Sequence, residues 1–176
     1  MFKRFFYLIY LFISLINFRY FSKFIDNNFS KIRVILLKLS GAKIGKNSKI
    51  YSGVIVINPQ FLTIGENTNI GFNTKIYNYS QVLIGDNVDI GPELYINTSN
   101  HTFSNINKPI AYQNRITKDI IIKSNIWIGA RVTIILGAKI NKDIVIGASS
   151  LVNKNLESGY IYAGVPAKKI KKLFMD

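Results

Sequence analysis

From Ile122 to Val152 the chain reads Ile122-Lys-Ser-Asn-Ile-Trp-Ile128-Gly-Ala-Arg-Val-Thr-Ile134-Ile-Leu-Gly-Ala-Lys-Ile140-Asn-Lys-Asp-Ile-Val-Ile146-Gly-Ala-Ser-Ser-Leu-Val152. A branched aliphatic residue returns at every sixth place. The same beat runs through Ile44, Ile50 and Val56, then Ile64, Ile70 and Ile76, then Ile84, Ile90 and Ile96, so thirteen of the fifteen positions are Ile. An internal period outranks local propensity, because each unit buries its apolar side only by stacking on its neighbours.

The phase of the repeat gives the shape. Blocks of three begin at 44, 64, 84, 122 and 140; two extra residues follow each of the first two blocks and twenty follow the third. Three hexapeptides per coil describe a triangular solenoid of about five coils, roughly 24 Å tall at the spacing of stacked strands. Ile and Val point inward because β-branched side chains suit a pleated wall. A second inward position, four residues on, is small or apolar at Val54, Thr68, Thr74, Val88, Leu94, Ile126, Val132, Ala138 and Ile144. Gly follows the repeat Ile at 45, 65, 71, 85, 91, 129 and 147, where the chain bends or meets a neighbour closely. All the extra residues fall after the third hexapeptide of a coil and emerge at one corner of the prism.

With 176 residues, 48% of them hydrophobic, the chain can bury one domain core plus an appendage. It has no Cys, which excludes disulfides, thiolate metal sites and a thiol nucleophile. The formal charge of +14 favours a polyanionic partner: nucleic acid, anionic lipid or a phosphorylated cofactor. Nucleic acid is the weakest of these, since the Lys and Arg are dispersed and no recognisable binding motif is present.

Residues 1–40 differ in kind. Met1-Phe-Lys-Arg4 precedes an uncharged run from Phe5 to Phe18, after which Arg19, Lys23, Lys31, Arg33 and Lys38 interrupt further apolar residues. Those fourteen uncharged residues fall short of the roughly twenty that span a bilayer. The bulky Asn17-Phe18-Arg19-Tyr20 offers no small-x-small cleavage site. Aromatic residues mixed with cations fit helices lying at an interface, and equally helices that cap the unpaired strand edge of the solenoid.

The chemical inventory is short. His101 is the sole histidine, and it stands where the third coil gives way to the twenty-residue insertion. A lone His is usually a surface or structural residue, but loops on rigid scaffolds carry function. A neutral imidazole near pH 7 can take a proton from a hydroxyl or amine and return it.

Asn100-His101-Thr102-Phe103 before an extruded loop, Asn125 to Ile134, Ile146 to Lys154, and Ala163-Gly-Val-Pro-Ala-Lys-Lys-Ile170 together resemble the hexapeptide-repeat acyltransferases. The motifs are most similar to those of the maltose/galactoside O-acetyltransferases and the O-acetyltransferases of bacterial surface polysaccharides. The resemblance covers residues 44–172 and leaves residues 1–40 outside.

It implies an all-β fold, a left-handed parallel β-helix over residues 41–160 with an extruded loop at 102–121 and a short basic tail at 161–176; the aromatic and basic pattern of residues 1–40 adds an N-terminal helical segment. It also implies a homotrimer with acetyl-CoA as acyl donor in a groove between subunits, a carbohydrate acceptor, and no metal. His101 matches the family's general base. Gly91, Ala130 and Ala148 match the small residues along which pantetheine lies, although tight turn packing would explain them as well. Lys154 matches a basic position beside the CoA phosphates, and Lys168 and Lys171 those at the adenosine 3′-phosphate; each Lys is a point charge without the fork of Arg. The Ala130 amide is a candidate oxyanion donor. Trp127 stands where a bulky residue borders the groove, or packs in the core.

The acceptor side departs from the sugar enzymes. Their acceptor-contacting Asn aligns near Gly71, which leaves Asn73 as the candidate two residues on. The insertion holds one carboxylate, Asp119, so a backbone carbonyl is expected to orient the imidazole. The resemblance implies O-acetylation of a sugar hydroxyl in a surface glycan or its precursor; the basic, aromatic segment 1–40 would place such a cytoplasmic enzyme at the inner face of the membrane. Transfer to the amine of a nucleotide-linked amino sugar, or a structural solenoid without activity, are the alternatives. A three-histidine metal site of the kind found in solenoid carbonic anhydrases is excluded by the histidine count.

Overall fold

The computed structural model describes residues 2–15 and 23–173, with side chains in the second helix from residue 28 onward. The expectations placed on Asn17 to Tyr20 and on the side chain of Lys23 lie outside the described residues. Two helices, α1 (Phe2–Leu15) and α2 (Lys23–Leu39), precede a left-handed parallel β-helix. Its first coil is β1 (Lys43–Ile44), β2 (Lys49–Ile50) and β3 (Ile55–Val56); the second is β4 (Leu62–Ile64), β5 (Asn69–Ile70) and β6 (Lys75–Tyr77). The third, β7 (Val82–Ile84), β8 (Val88–Ile90) and β9 (Tyr95–Asn97), leads into a hairpin of β10 (Ser99–His101) and β11 (Arg115–Thr117). The fourth is β12 (Ile120–Ile122), β13 (Ile126–Ile128) and β14 (Thr133–Ile135); the fifth is β15 (Lys139–Ile140), β16 (Ile144–Ile146) and β17 (Leu151–Val152). The chain then begins a sixth coil that the repeat count of about five does not include. Leu156 bridges to Ile140, β18 (Tyr160–Ala163) stacks in parallel on β16, and β19 (Lys168–Lys172) folds back antiparallel on β18. Residues 161–163, read from the sequence as part of a tail, thus continue a wall of the prism.

The register is that of the repeat: Ile64 stacks on Ile44 and Ile84, and Ile128 lies between Ile90 and Ile146. Three parallel walls result, the first built on β1, the second on β2 and the third on β3. Every repeat aliphatic is buried, and so is the second inward set, Thr68 and Thr74 included. Full burial of such side chains stabilises by about 1.5–3 kcal/mol each before the entropy of ordering is subtracted.

Corners use a left-handed residue three places after the repeat aliphatic: Asn47, Asn67, Asn73, Asn87, Asn125 and Asp143 all have φ of 52–59°. Asn and Asp enter that region more readily than other residues with a Cβ. Glu93, Arg131 and Ser149 adopt it too, at φ of 62°, 57° and 59°.

The helices close the open lower end. Tyr10 Oη and Ser14 Oγ both donate to the Val54 carbonyl at 2.7 Å, Tyr7 Oη donates to the Val56 carbonyl, and the Gly53 N–H donates to the Ser14 carbonyl at 2.7 Å. From α2, Ser30 Oγ accepts from the Ile50 N–H at 2.9 Å, and the buried Arg33 reaches the Ile50 carbonyl at 3.4 Å. Edge groups that would otherwise be buried without partners are thereby satisfied.

Candidate functional site

The chain passes from first wall to second, second to third, and third to first, so the prism has three corners. His101 ends β10 at the corner between the third and first walls. It is held there by the antiparallel pairing of β10 with β11, in which it faces Arg115, and its own N–H donates to Asn100 Oδ1 at 2.9 Å. The side chain is half-buried. Its Nδ1 is enclosed and has no hydrogen-bond partner among the described residues. The backbone carbonyl expected to orient it is therefore not supplied by the described part of this chain. Nor does Asp119 serve, since its Oδ1 accepts from the Gln81 N–H at 3.0 Å in the corner turn.

Beyond His101 the hairpin is braced rather than loose. Thr102 donates through both N–H and Oγ1 to the Asn114 carbonyl, at 2.8 and 2.9 Å. At the tip, the buried Gln113 bonds the Asn105 carbonyl and N–H and the Lys108 carbonyl at 2.8–3.1 Å. Sequence reading missed Gln113, which carries no motif.

The small residues Gly91, Ala130 and Ala148 occupy the corner between the second and third walls in the third, fourth and fifth coils, with Gly91 against the Gly129–Ala130 peptide and Ala148 above Ala130. A methyl placed on Gly91 would lie 2.8 Å from the Ala130 nitrogen, and one on Gly129 would lie 2.6 Å from the Ala148 nitrogen. Coil stacking alone therefore demands Gly91, whatever else the column does. Main-chain satisfaction at the corners varies from coil to coil. Where the first wall meets the second, the N–H groups of Glu66 and Asp86 are bonded by Asp86 Oδ1 and Ser124 Oγ of the coil above, at 2.7 and 3.0 Å. The N–H groups of Ala130 and Ala148, in the fourth and fifth coils, donate to nothing among the described residues, as is also true of Ser124 and Lys142 at the first corner of the same coils. They can serve an external acceptor.

Asn73 lies on the same corner two coils below Ala130, and its left-handed φ of 57° accounts for an Asn there without a ligand. It lines a groove of about 530 Å³ with Lys75, Glu93, Tyr95, Gly53 and Leu15. Sequence reading missed Glu93 and Tyr95. The signal for Glu93 was present, because it fills a corner slot where Asn or Gly stands in the coils below.

Trp127 projects outward from the second wall between Asp89 and Val145 and is 57% exposed, so core packing does not explain it. Lys168 pairs with Ala163 and Lys171 with Ile161 on the upper end of that wall. Both are exposed and have no ion-pair partner among the described residues. Lys169 differs: its Nζ meets Glu157 at 2.7 Å and lies 4.2 Å from the Tyr160 ring centroid, and that hydrogen bond raises its pKa above the ordinary lysine value. Lys154 is exposed at the corner of His101, two coils higher. Among the described residues no group of three His, Cys, Asp or Glu side chains is arranged to hold a metal.

One chain therefore does not bring the candidates together. His101 and Lys154 lie on one edge of the third wall, and Asn73, Gly91, Ala130 and Ala148 lie on the other. Trp127 and the β19 lysines lie on the second wall, across the prism from His101.

The fold is a hexapeptide-repeat β-helix, and its motifs are similar to those of acyltransferases. No protein-family model matches the chain. A galactoside O-acetyltransferase of Lactococcus lactis is 35% identical over 83 residues, covering 47% of this chain and 39% of that protein. A chloramphenicol acetyltransferase of Klebsiella aerogenes is 46% identical over 56 residues, covering 32% and 27%. WbbJ of Escherichia coli K12, named for O-acetyl transfer in lipopolysaccharide biosynthesis, is 40% identical over 53 residues, covering 30% and 27%. The matches thus span less than half the length of these relatives.

Among solved structures, a hexapeptide-repeat-containing acetyltransferase of Vibrio cholerae superposes with a TM-score of 0.77 at 27% identity, covering 83% of this chain and 82% of that one. A galactoside acetyltransferase in complex with coenzyme A gives 0.79 at 26%, covering 98% and 81%. AntD, an N-acyltransferase of Bacillus cereus solved with dTDP and coenzyme A, gives 0.61 at 28%, covering 77% and 87%. The resemblance carried by the motifs is met in both comparisons.

Proposed function

We propose that this protein is an acetyl-CoA-dependent O-acetyltransferase acting on a sugar hydroxyl of a surface glycan or its precursor. The observation that carries the reading is the place of its sole histidine, at the root of a braced hairpin on an acyltransferase β-helix. His101 takes the proton of the acceptor hydroxyl as its oxygen attacks the thioester carbonyl. The new C–O bond forms, the C–S bond breaks, and the proton returns to the CoA thiolate. No covalent enzyme intermediate is needed. The Ala130 N–H, which has no internal acceptor, is suited to meet the developing oxyanion.

The same open amides fit the donor. Pantetheine carries amide carbonyls that can accept from the Ala130 and Ala148 N–H groups, and the β19 lysines suit its phosphates. Lys168 pairs with Ala163, whose Cβ a methyl on Gly147 would approach to 3.0 Å, so it caps the column of small residues. Because His101 and this column lie on opposite edges of the third wall, a complete site takes the histidine from one copy and the column from the next. A closed homotrimer satisfies all three pairs of edges at once. A partner copy can also supply the acceptor that Nδ1 of His101 lacks.

The fold of AntD, with its nucleotide-linked ligand, favours a second reading, transfer to an amine of a nucleotide-linked amino sugar. Thiol release from acetyl-CoA, followed with hydroxyl-bearing and amine-bearing sugar acceptors, separates the two. The His101→Ala variant should lose about 10²- to 10⁴-fold in turnover while still binding CoA. Retained turnover would remove His101 from the mechanism, and thiol release with amine acceptors alone would replace O-transfer by N-transfer.

A further inference from the structure

The inward side of the helical base is accounted for by its bonds to the first coil. The outward side is not. On α1, Phe5, Leu8, Phe12 and Leu15 recur at three- and four-residue steps and are 58–71% exposed, with Phe2 beside them at 76%. On α2, Ile32, Ile35 and Leu39 form a second exposed stripe. Capping needs only Tyr7, Tyr10, Ser14, Ser30 and Arg33, all on the other sides of these helices, and gives no reason for aromatic residues facing water.

Charge surrounds this apolar face. Lys3 and Arg4 are exposed on α1, and Lys31 and Lys38 border the α2 stripe. Between α2 and the first coil runs a groove of about 710 Å³ lined by Lys31, Lys38, Lys46 and Lys49, with Val34 and Ile35 among its apolar lining. No acidic side chain lines it. Through residue 65 the chain has ten Lys or Arg and one acidic residue, Asp26.

We propose that this base docks on an anionic lipid bilayer, with the Phe5–Leu15 stripe in the headgroup–acyl boundary and the lysine groove over lipid phosphates. Apolar residues on one face with cations at its margins are what an interfacial helix needs, and each part strengthens the other. The helix lies on the membrane and does not cross it. Fourteen residues make about 21 Å of helix against a hydrocarbon core of ~30 Å, and among the described residues no helix is long and apolar enough to span. A protein partner would explain the apolar stripe, but not the four-lysine groove that continues it.

The test is flotation of the full chain with phosphatidylcholine vesicles, with and without phosphatidylglycerol. Floating with the anionic vesicles, and release from them at high salt, is expected. Lys31→Glu/Lys38→Glu/Lys46→Glu, which alters only exposed charge, should reduce the bound fraction by at least about tenfold. Phe5→Ser/Leu8→Ser/Phe12→Ser should do the same while the molecular mass by light scattering stays that of the unaltered protein. Failure to float with anionic vesicles overturns the proposal, and so does flotation unaffected by the lysine changes. A fall in oligomer mass of the Ser variant makes the face an interface between copies and overturns it as well. None of these readouts depends on acyl transfer, so the catalytic reading stands or falls separately.

Discussion

Replacing Gly91 by Ala distinguishes the two reasons for a small residue at the corner between the second and third walls. A methyl there would sit 2.8 Å from the Ala130 nitrogen and 2.9 Å from the Gly129 carbonyl carbon, both backbone atoms of the next coil. No side chain can swing aside to relieve this. Opening the closest contact to about 3.4 Å, ordinary van der Waals separation, means lifting the fourth coil locally by roughly 0.6 Å against its parallel ladder; overpacking of this kind costs about 1–3 kcal/mol. In a chain of this length each kcal/mol lowers Tm by about 2–4 °C, so a fall of roughly 2–12 °C is expected. Thermal melts followed by circular dichroism, with and without saturating CoA, check it. If stacking demands the glycine, the fall is present without CoA. An unchanged melt without CoA, joined to a raised KM for acetyl-CoA, would refute the stacking argument and make Gly91 small for the ligand's sake.

Tyr10→Phe removes one of two donors to the Val54 carbonyl and should cost about 1 kcal/mol in chemical denaturation, since Ser14 still satisfies that oxygen. Burial also raises the Tyr10 pKa well above the ordinary 10.0. The unfolded chain therefore loses this proton first, stability falls as pH rises past about 10, and the fall should be shallower in Tyr10→Phe; equal slopes would show that Tyr10 is not buried as described. Lys168→Glu with Lys171→Glu should weaken CoA binding by calorimetry far more than binding of dephospho-CoA, and an equal loss of both would remove the 3′-phosphate contact. Glu93→Asn places a residue suited to left-handed backbone in a strained slot and should stabilise by a few tenths to 1 kcal/mol. If the groove it lines takes the acceptor, the same change raises the acceptor KM; an unaltered KM would detach the groove from the reaction.

The walls of this molecule were legible because every wall position has the same environment. Ile70, Ile90 and Ile128 each see an Ile above and below, so one six-residue rule describes all of them. The corner holding His101 was legible for the converse reason, since a twenty-residue break in a strict period must leave the prism somewhere. What escaped the sequence depends on contacts that no period encodes. On its second wall the sixth coil lacks the repeat aliphatic: Tyr162 takes the place that Ile146 holds below it, buried by stacking and with its hydroxyl accepting from the Glu157 N–H at 2.9 Å. Trp127, by contrast, was legible from alternation alone, because Ile126 and Ile128 on either side of it are both inward positions of the repeat, and a core reading ignores that parity. The separation of His101 from the Ala130 column follows from tracing three walls in order, and motif spacing along one chain does not reveal it.

The corners also show where a regular solenoid has been altered for a purpose. Left-handed backbone three places after each repeat aliphatic is a geometric requirement of the turn, and Asn, Asp or Gly meets it with least strain. Where the first wall meets the second, the slots are Asn47, Asn67, Asn87, Asn125 and Asp143, in coil order. Where the second meets the third, they are Gly53, Asn73, Glu93, Arg131 and Ser149. The backbone is the same at both corners, so conformation cannot account for Glu, Arg and Ser at the second. That corner also holds the unbonded amides of Ala130 and Ala148, but the equivalent amides of Ser124 and Lys142 at the first corner are unbonded as well among the described residues. What sets the second corner apart is therefore its side chains, on the third, fourth and fifth coils. Strain of this kind is tolerated where it is used. Those side chains lie on the opposite edge of the third wall from His101, so under the proposed function a donor bound along them meets the histidine of a neighbouring copy.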